Sequence, residues 1–259
     1  MKKLRFASVG DNCIDRFRAT VAQSLVGGNA VNVAVQLARL GHVSYYFGAV
    51  GSDHDGIRTH SMLAENGVNV DHVQVRDGRT AVTDIDVLAS GERVLAFEDF
   101  GVCAGYRPTP LEIEVLKTMD HVHIGWMDDE GALRQVLSRA GTSVSQDISV
   151  NTDAANIGVS GLSIAFGSAG SDDAAMERMI HEFLSEGAAL AVVTRGEKGS
   201  VAASRQSRAS TGIIPIEVVD TTGAGDSFIA GFLSAQLQGV MLEQCLAAGR
   251  DLAAKTCQH

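Results

Sequence analysis

The chain has 259 residues, 45% of them apolar and 20% charged, and carries a net charge of −10 at neutral pH. That length and composition suit a substantial buried core, as one large α/β domain or one domain with a small appendage, and exclude a disordered chain. The acidic balance excludes a nucleic-acid surface, which calls for clustered Lys and Arg, and no run of 18 uncharged apolar residues offers a bilayer span.

The start, Met1-Lys2-Lys3-Leu4-Arg5-Phe6, passes into Gly10-Asp11-Asn12 without a long apolar segment. No secretory signal is read there, and the expected location is the cytoplasm. Residues 4–9 read as a strand. Gly27-Gly28 follows as a turn, and Val31, Ala34, Val35 and Ala38 fall at helical spacing up to a stop at Gly41. Residues 43–50 read as the next strand and 57–66, stopped by Gly67, as the next helix. Further on, 121–124, 162–166 and 189–194 read as short buried strands, while 131–140 and 173–185 read as helices. The alternation predicts a doubly wound, mostly parallel sheet with helices on both faces, in a single domain over 1–259.

Two stretches break the rhythm. Residues 80–88, Gly91-Glu92 and 94–97 read as an antiparallel hairpin with one wet face, and residues 16–25 as a second antiparallel piece. Inserted at about 16–25 and 79–100, they predict a small β lid over the strand ends, where open α/β sheets bind ligands. A sheet-edge extension used for packing or dimerisation would read the same way.

The most informative stretch is Asp220-Thr221-Thr222-Gly223-Ala224-Gly225-Asp226. The β-branched run 213–219 before it reads as a strand; Ile229, Phe232, Leu233 and Leu237 after it read as a helix ending at Gly239. Glycines at a helix start let successive N–H groups point into one space, where the helix dipole adds about half a positive charge. A phosphate suits that space. Asp226 lies in the first helical turn, where a catalytic carboxylate and a simple cap occupy the same position.

Gly27-Gly28-Asn29-Ala30-Val31-Asn32 again sets paired glycines at a helix start, with the amides of Asn29 and Asn32 near one face. Asn both donates and accepts, which suits hydroxyl recognition, and it also serves as an N-cap. Asp11 and Asp15 follow the first strand, where carboxylates bind sugar hydroxyls or end loops. Thr194-Arg195-Gly196-Glu197-Lys198-Gly199-Ser200 follows a buried strand and reads as a nucleotide loop or a plain turn; it lacks Walker A spacing. A dinucleotide fingerprint fails, because Phe228 stands where the third glycine belongs. His121 and His123 have no partner at ligand spacing and read as structural. The cysteines, Cys13, Cys103, Cys245 and Cys257, show no C-x-x-C spacing and suit reduced thiols. Met62, Met119, Met127, Met176 and Met179 read as core filler.

The run Gly27 to Ala34 with Gly41 and Gly51, and the run Asp220 to Leu233, resemble the ribokinase-like, or PfkB-type, carbohydrate kinase family. The resemblance spans nearly the whole chain and is weakest over 101–160. It implies a parallel sheet with a β lid, ATP and Mg2+ as cofactors, and a small sugar or sugar-amine substrate. It places Asp226 as catalytic base and Gly223, Ala224 and Gly225 as the anion hole. Asp11, Asp15, Gly27, Gly28 and Asn32 would then meet the sugar, and Thr194, Gly196, Gly199 and Gly225 the nucleotide. The opening Gly10-Asp11-Asn12-Cys13-Ile14-Asp15 and the final residues are most similar to family members acting on ketosamines such as fructoselysine. The expected reaction is phosphoryl transfer to a primary hydroxyl. Nucleoside kinases of the same fold, a non-catalytic sugar or nucleotide sensor and a nicotinamide oxidoreductase are the rivals. The family's Asn-x-x-Glu element is replaced here by Ser168-Ala169-Gly170-Ser171-Asp172-Asp173, so Asp172, or Asp173 beside it, is the expected metal-linked carboxylate. A homodimer through the lid is a further implication.

Overall fold

A computed structural model describes residues 2–18, 23–87 and 93–258. Its main sheet has nine strands among the described residues, in the order β13-β12-β11-β10-β9-β8-β1-β4-β5. The parallel strands are β1 (Arg5–Val9), β4 (Val43–Gly51), β5 (Val73–Arg76), β8 (His121–Ile124), β9 (Val144–Asp147), β10 (Ile164–Ser168) and β11 (Leu190–Thr194). An antiparallel pair, β12 (Ser200–Ala203) and β13 (Arg208–Thr211), closes one edge.

The parallel strands alternate their buried side chains between two cores, as a two-residue period requires. Phe6, Ile164, Phe166, Leu190 and Val192 face α1 (Asn29–Arg39), α6 (Ala224–Gln236) and α7 (Leu242–Thr256). Ala7, Val9, Ala165, Ala191 and Val193 face α3 (Pro110–Leu116), α4 (Ala132–Arg139) and α5 (Asp173–Ser185). α2 (His54–Glu65) packs Leu63 against Tyr46 and the outer side of α1. Met119, Met127 and Met176 are buried in these cores, and Met62 and Met179 pack against them.

The chain leaves β1 toward β4 and β5 on one side and later resumes at β8 on the other, so the switch point lies between β1 and β8. Beyond the carboxyl ends of those two strands is where a ligand is expected in this architecture.

The lid is a separate sheet in the order β3-β2-β6-β7, with β2 at Cys13–Arg18, β3 at Gln23–Gly27, β6 at Val82–Val87 and β7 at Arg93–Asp99. Its two hairpins are antiparallel, but the central β2–β6 pairing that joins them is parallel. The first hairpin is also longer than the 16–25 expected. The expected turn at Gly91-Glu92, and residues 19–22 of the first hairpin, lie outside the described residues.

The expected strand over 213–219 does not form. Pro215 has no N–H to give a ladder, and Ile213, Val218 and Val219 are exposed. The segment is instead tied to the end of α7, where Val219 N–H donates to Cys257 O at 2.8 Å. β5, β9, β12, β13 and α3 are additions to the elements read from sequence. No described helix is long and apolar enough to cross a membrane, and the four cysteines are free.

Phe232 on α6 is fully buried, edge-on to Phe166 with ring centroids 5.7 Å apart and stacked near Phe228 at 6.2 Å. Phe232→Ala should lower unfolding stability by about 3–5 kcal/mol in a urea titration. A loss below about 1 kcal/mol would show that α6 is not anchored this way.

Candidate active site

Gly28 links β3 to α1 with φ +106°, a conformation that side chains avoid, and a Cβ there would come within 2.7 Å of Asn12 Cα. α1 has no cap from its own chain neighbours. Asp11 supplies it from across the switch point. Its Oδ2 accepts from Asn29 N–H at 2.7 Å, and its Oδ1 accepts from Ala30 N–H at 3.3 Å and Trp126 N–H at 2.9 Å. One carboxylate thereby ties the ends of β1 and β8 to the positive end of α1. Burial still raises the Asp11 pKa, against the pull of those N–H groups.

α6 begins in the same way. Gly223 is its N-cap in the left-handed conformation, φ +72°, and Asp220 accepts from Thr222 N–H at 2.8 Å to set the turn. Ala224 N–H donates to Thr221 O at 3.1 Å, closing the turn. The donors that helix geometry leaves without an intrahelical acceptor are then Gly225 and Asp226. A Cβ added to Gly225 would meet open space. Two N–H groups, those of Gly225 and Asp226, are thus left open at the start of α6, while that of Ala224 is spent on the turn.

Asp226 does not cap its own helix, since α6 has no side-chain cap. Its carboxylate turns to α1 instead. Asn29 Nδ2 donates to Oδ1 at 2.7 Å and Asn32 Nδ2 donates to Oδ2 at 2.7 Å. The Asn29 amide also donates to Asp147 Oδ2 at 3.1 Å. Asp147, at the end of β9, further accepts from Ser149 N–H at 2.9 Å and Ser149 Oγ at 2.6 Å. Desolvation, with the negative charges of Asp147 and Asp11, pushes Asp226 up to about 7 against its two amide donors. Burial raises Asp147 as well. A carboxylate poised near neutrality and fixed by two donors, one of which lines a cleft, has the makings of a general base.

The cleft beside it holds about 430 Å³ and is lined in part by Asp15, Gly27, Asn32 and Gly223. Lid register sets Leu25, Asp15, Thr83 and Glu98 in one row and hence on one face. Cys13 Sγ donates to Asp15 Oδ1 at 3.2 Å. In that row the Glu98 carboxyl is held above its ordinary pKa by desolvation and by the charges of Asp11 and Asp15.

Of the expected residues, Asp15, Gly27, Asn32 and Gly223 line the cleft; Asp226 is bonded to Asn32, Asp11 to the start of α1 just after Gly28, and Ala224 and Gly225 follow Gly223 in the first turn of α6. Thr194, Gly196, Gly199 and Asp172 do not line the cleft. Thr194 ends β11, and the others lie beyond the ends of β10 and β11. There Lys198 Nζ donates to Asp173 Oδ2 at 3.0 Å and Arg195 to Asp173 Oδ1 at 3.2 Å. Asp172 is the N-cap of α5, accepting from Ala174 and Ala175 N–H at 2.8 and 3.0 Å. Among the described residues, no group of three or more His, Cys, Asp or Glu could hold a metal ion.

Three site residues lie outside the set expected from sequence. Asn29 was visible as a second amide but could equally cap a helix. Asp147 ends a strand whose other residues include buried Ser145 and Gln146, so no apolar run flagged it. His123, read as structural, contacts Asn29 Oδ1 through Nε2 at 3.0 Å.

Residues 16–125 and 129–259 match the model of the pfkB family of carbohydrate kinases. The chain is 36% identical over 256 residues to the fructoselysine 6-kinase of Escherichia coli strain K12, covering 98% of this chain and 97% of that one. It is 30% identical over 265 residues to the fructosamine kinase of Bacillus subtilis strain 168, covering 98% and 91%. In fold it is similar to Arabidopsis thaliana ribokinase complexed with ribose and ATP, with a TM-score of 0.88 at 21% identity over 100% of this chain and 94% of the ribokinase. With the family model matched over nearly its whole length and its glycine-opened helices meeting at one carboxylate, the chain belongs to the pfkB family of carbohydrate kinases.

Proposed function

We propose that this protein is an ATP-dependent, magnesium-requiring kinase that phosphorylates a primary hydroxyl of a ketosamine or ketose, with Asp226 as the base. The observation that carries the reading is Asp226 itself, held by two amides beside a cleft and directly after the open N–H group of Gly225. The kinases of fructoselysine and fructosamine among its relatives support a ketosamine acceptor.

In the proposed step the acceptor oxygen attacks the γ-phosphorus in line, the bond from that phosphorus to the β-bridging oxygen breaks, and the hydroxyl proton passes to Asp226. A carboxyl with a pKa of about 7 is too weak to ionise an alcohol beforehand, so the proton moves late, as the new P–O bond forms. The N–H groups of Gly225 and Asp226, reinforced by the α6 dipole, stabilise charge on the transferring oxygens. Asp11, Asp15, Gly27, Gly28 and Asn32 are assigned to the acceptor, with lid closure excluding water. Thr194, Gly196 and Gly199 are assigned to the nucleotide; a Cβ added to Gly196 would meet only open space.

Magnesium, when bound with ATP, supplies charge neutralisation at the β- and γ-phosphate oxygens. The donor set fits an ion carried by the nucleotide, because magnesium keeps several waters and takes few carboxylates from a protein. Asp172, whose Oδ1 caps α5, would be the residue that helps hold it. We also assign the lid a role in pairing two copies of the chain, on the grounds that Leu95 and Phe97 of the edge strand β7 are 60% and 53% exposed.

A coupled ADP-release assay against ketosamines, ketoses and nucleosides tests the reaction. Asp226→Asn should fold normally and lose roughly 10²- to 10⁴-fold in turnover. Because only the ionised base accepts a proton, wild-type kcat/KM for the acceptor should climb with pH to a plateau above about 7. The residual rate of Asp226→Asn should lack that limb. Full activity in that variant would remove Asp226 from the mechanism, and a nucleoside outperforming every ketosamine would overturn the acceptor class. For the lid, sedimentation of Phe97→Glu should show a monomer at concentrations where wild type is dimeric; a monomeric wild type would contradict the pairing.

A further inference from the structure

A line of polar side chains runs along β8 and β9 on the α1 face of the sheet and ends on Asp226. His121 and His123, two apart on β8, are both fully buried. His121 Nδ1 lies 2.8 Å from Ser143 Oγ and its Nε2 lies 2.8 Å from Ser145 Oγ. His123 Nδ1 lies 2.9 Å from the same Ser145 Oγ, and its Nε2 lies 3.0 Å from Asn29 Oδ1. Asn29 Nδ2 then donates to Asp226 and Asp147. Burial holds both imidazoles neutral at physiological pH, each with its pKa drawn down to about 3.

The far end of this line fixes every proton in it. When Asp226 and Asp147 are ionised they can only accept, so the Asn29 nitrogen faces them and its oxygen faces His123. His123 must then carry its proton on Nε2 and donate to that oxygen. Its Nδ1 becomes an acceptor for the Ser145 hydroxyl, whose oxygen accepts from His121 Nε2–H. Ser143 closes the line by donating to His121 Nδ1. All donors point toward Asp226, and bonds aligned head to tail polarise one another.

We propose that His123 is a positioning residue for phosphoryl transfer, anchoring the Asn29 amide so that its NH2 stays between Asp226 and Asp147. This rests on the reading of Asp226 as base. Without the His123 donor, Asn29 Oδ1 is a buried acceptor with no partner, a state relieved by turning the amide off the carboxylates. Asp226 is faced by the charges of Asp147 from the end of β9 and Asp11 from beyond β1, and by the amides of Asn29 and Asn32 from α1. Losing an amide donor among those like charges favours its protonated form.

The test follows the protonation of Asp226 in the unliganded protein by difference infrared spectroscopy, its acid carbonyl band identified by loss in Asp226→Asn. In His123→Leu the midpoint should rise by about one pH unit, and the acid limb of kcat should move with it while KM for ATP changes less than about twofold. His123→Gln, whose amide N–H reaches the position of Nε2, should restore both. Should the Leu variant not fold, Ser145→Ala leaves the ring in place and frees its tautomer, and the same upward movement is expected. An unmoved midpoint in the folded Leu or Ala variant overturns the proposal, as does a Gln variant shifted as far as Leu. A midpoint that moves without the kcat limb supports His123 as positioner and instead contradicts Asp226 as the base.

Discussion

Everything at the site depends on crowding three carboxylates, Asp11 beyond the end of β1, Asp147 at the end of β9 and Asp226 at the start of α6. Like charges at close range in a partly dry space repel and favour protonation, and burial is the first cause of the raised pKa of each. The fold answers with donors of fixed position. Asp11 takes the N–H groups that open α1, Asp147 takes Ser149, and Asp226 takes the amides of Asn29 and Asn32. A single helix, α1, thereby serves all three acids, with its N-terminus toward one and its Asn29 amide between the other two. The outcome is a balance near neutrality at Asp226.

That balance explains why the two glycine-opened helices must approach each other closely. α1 needs Gly28 in a conformation closed to other residues so that Asp11 can reach its first N–H groups. α6 needs Gly223 in the left-handed region so that its first turn leaves N–H groups open beside the carboxylate. The cores beneath supply the rigidity, with Val33 and Leu37 of α1 sharing one apolar cluster with Phe228 and Phe232 of α6. Seating the Asp226 carboxylate of α6 against two amides of α1, on helices packed in one core, fixes its position.

Much of this was legible in the amino-acid order because apolar period and glycine punctuation are strong signals. α1, β8 and α5 carry both and were read within a residue or two of their observed bounds. β9 was not legible, since Ser145, Gln146 and Asp147 are polar yet buried; their burial is compensated by bonds to distant residues such as Arg134 and Asn156 that no local pattern announces. α3 carried a readable signal in Thr109-Pro110-Leu111-Glu112, a capping box with proline at the first turn, that apolar periodicity did not pick up. The stretch 213–219 misled because β-branched residues suit a strand only where a ladder partner exists, and Pro215 withholds a donor. At the site, residue type singled out Asp226 and Asn32, which the structure brings together, but not the direction of their bonds. Whether Asp226 caps α6 or faces α1 is a tertiary fact.

The most direct measurement is a crystal structure with a non-hydrolysable ATP analogue and a ketosamine bound together. The account predicts a primary hydroxyl within hydrogen-bond distance of an Asp226 carboxylate oxygen and in line with the terminal phosphorus, whose oxygens meet the N–H groups of Gly225 and Asp226. An acceptor hydroxyl bound away from Asp226, or a terminal phosphate seated elsewhere than at the start of α6, would contradict it.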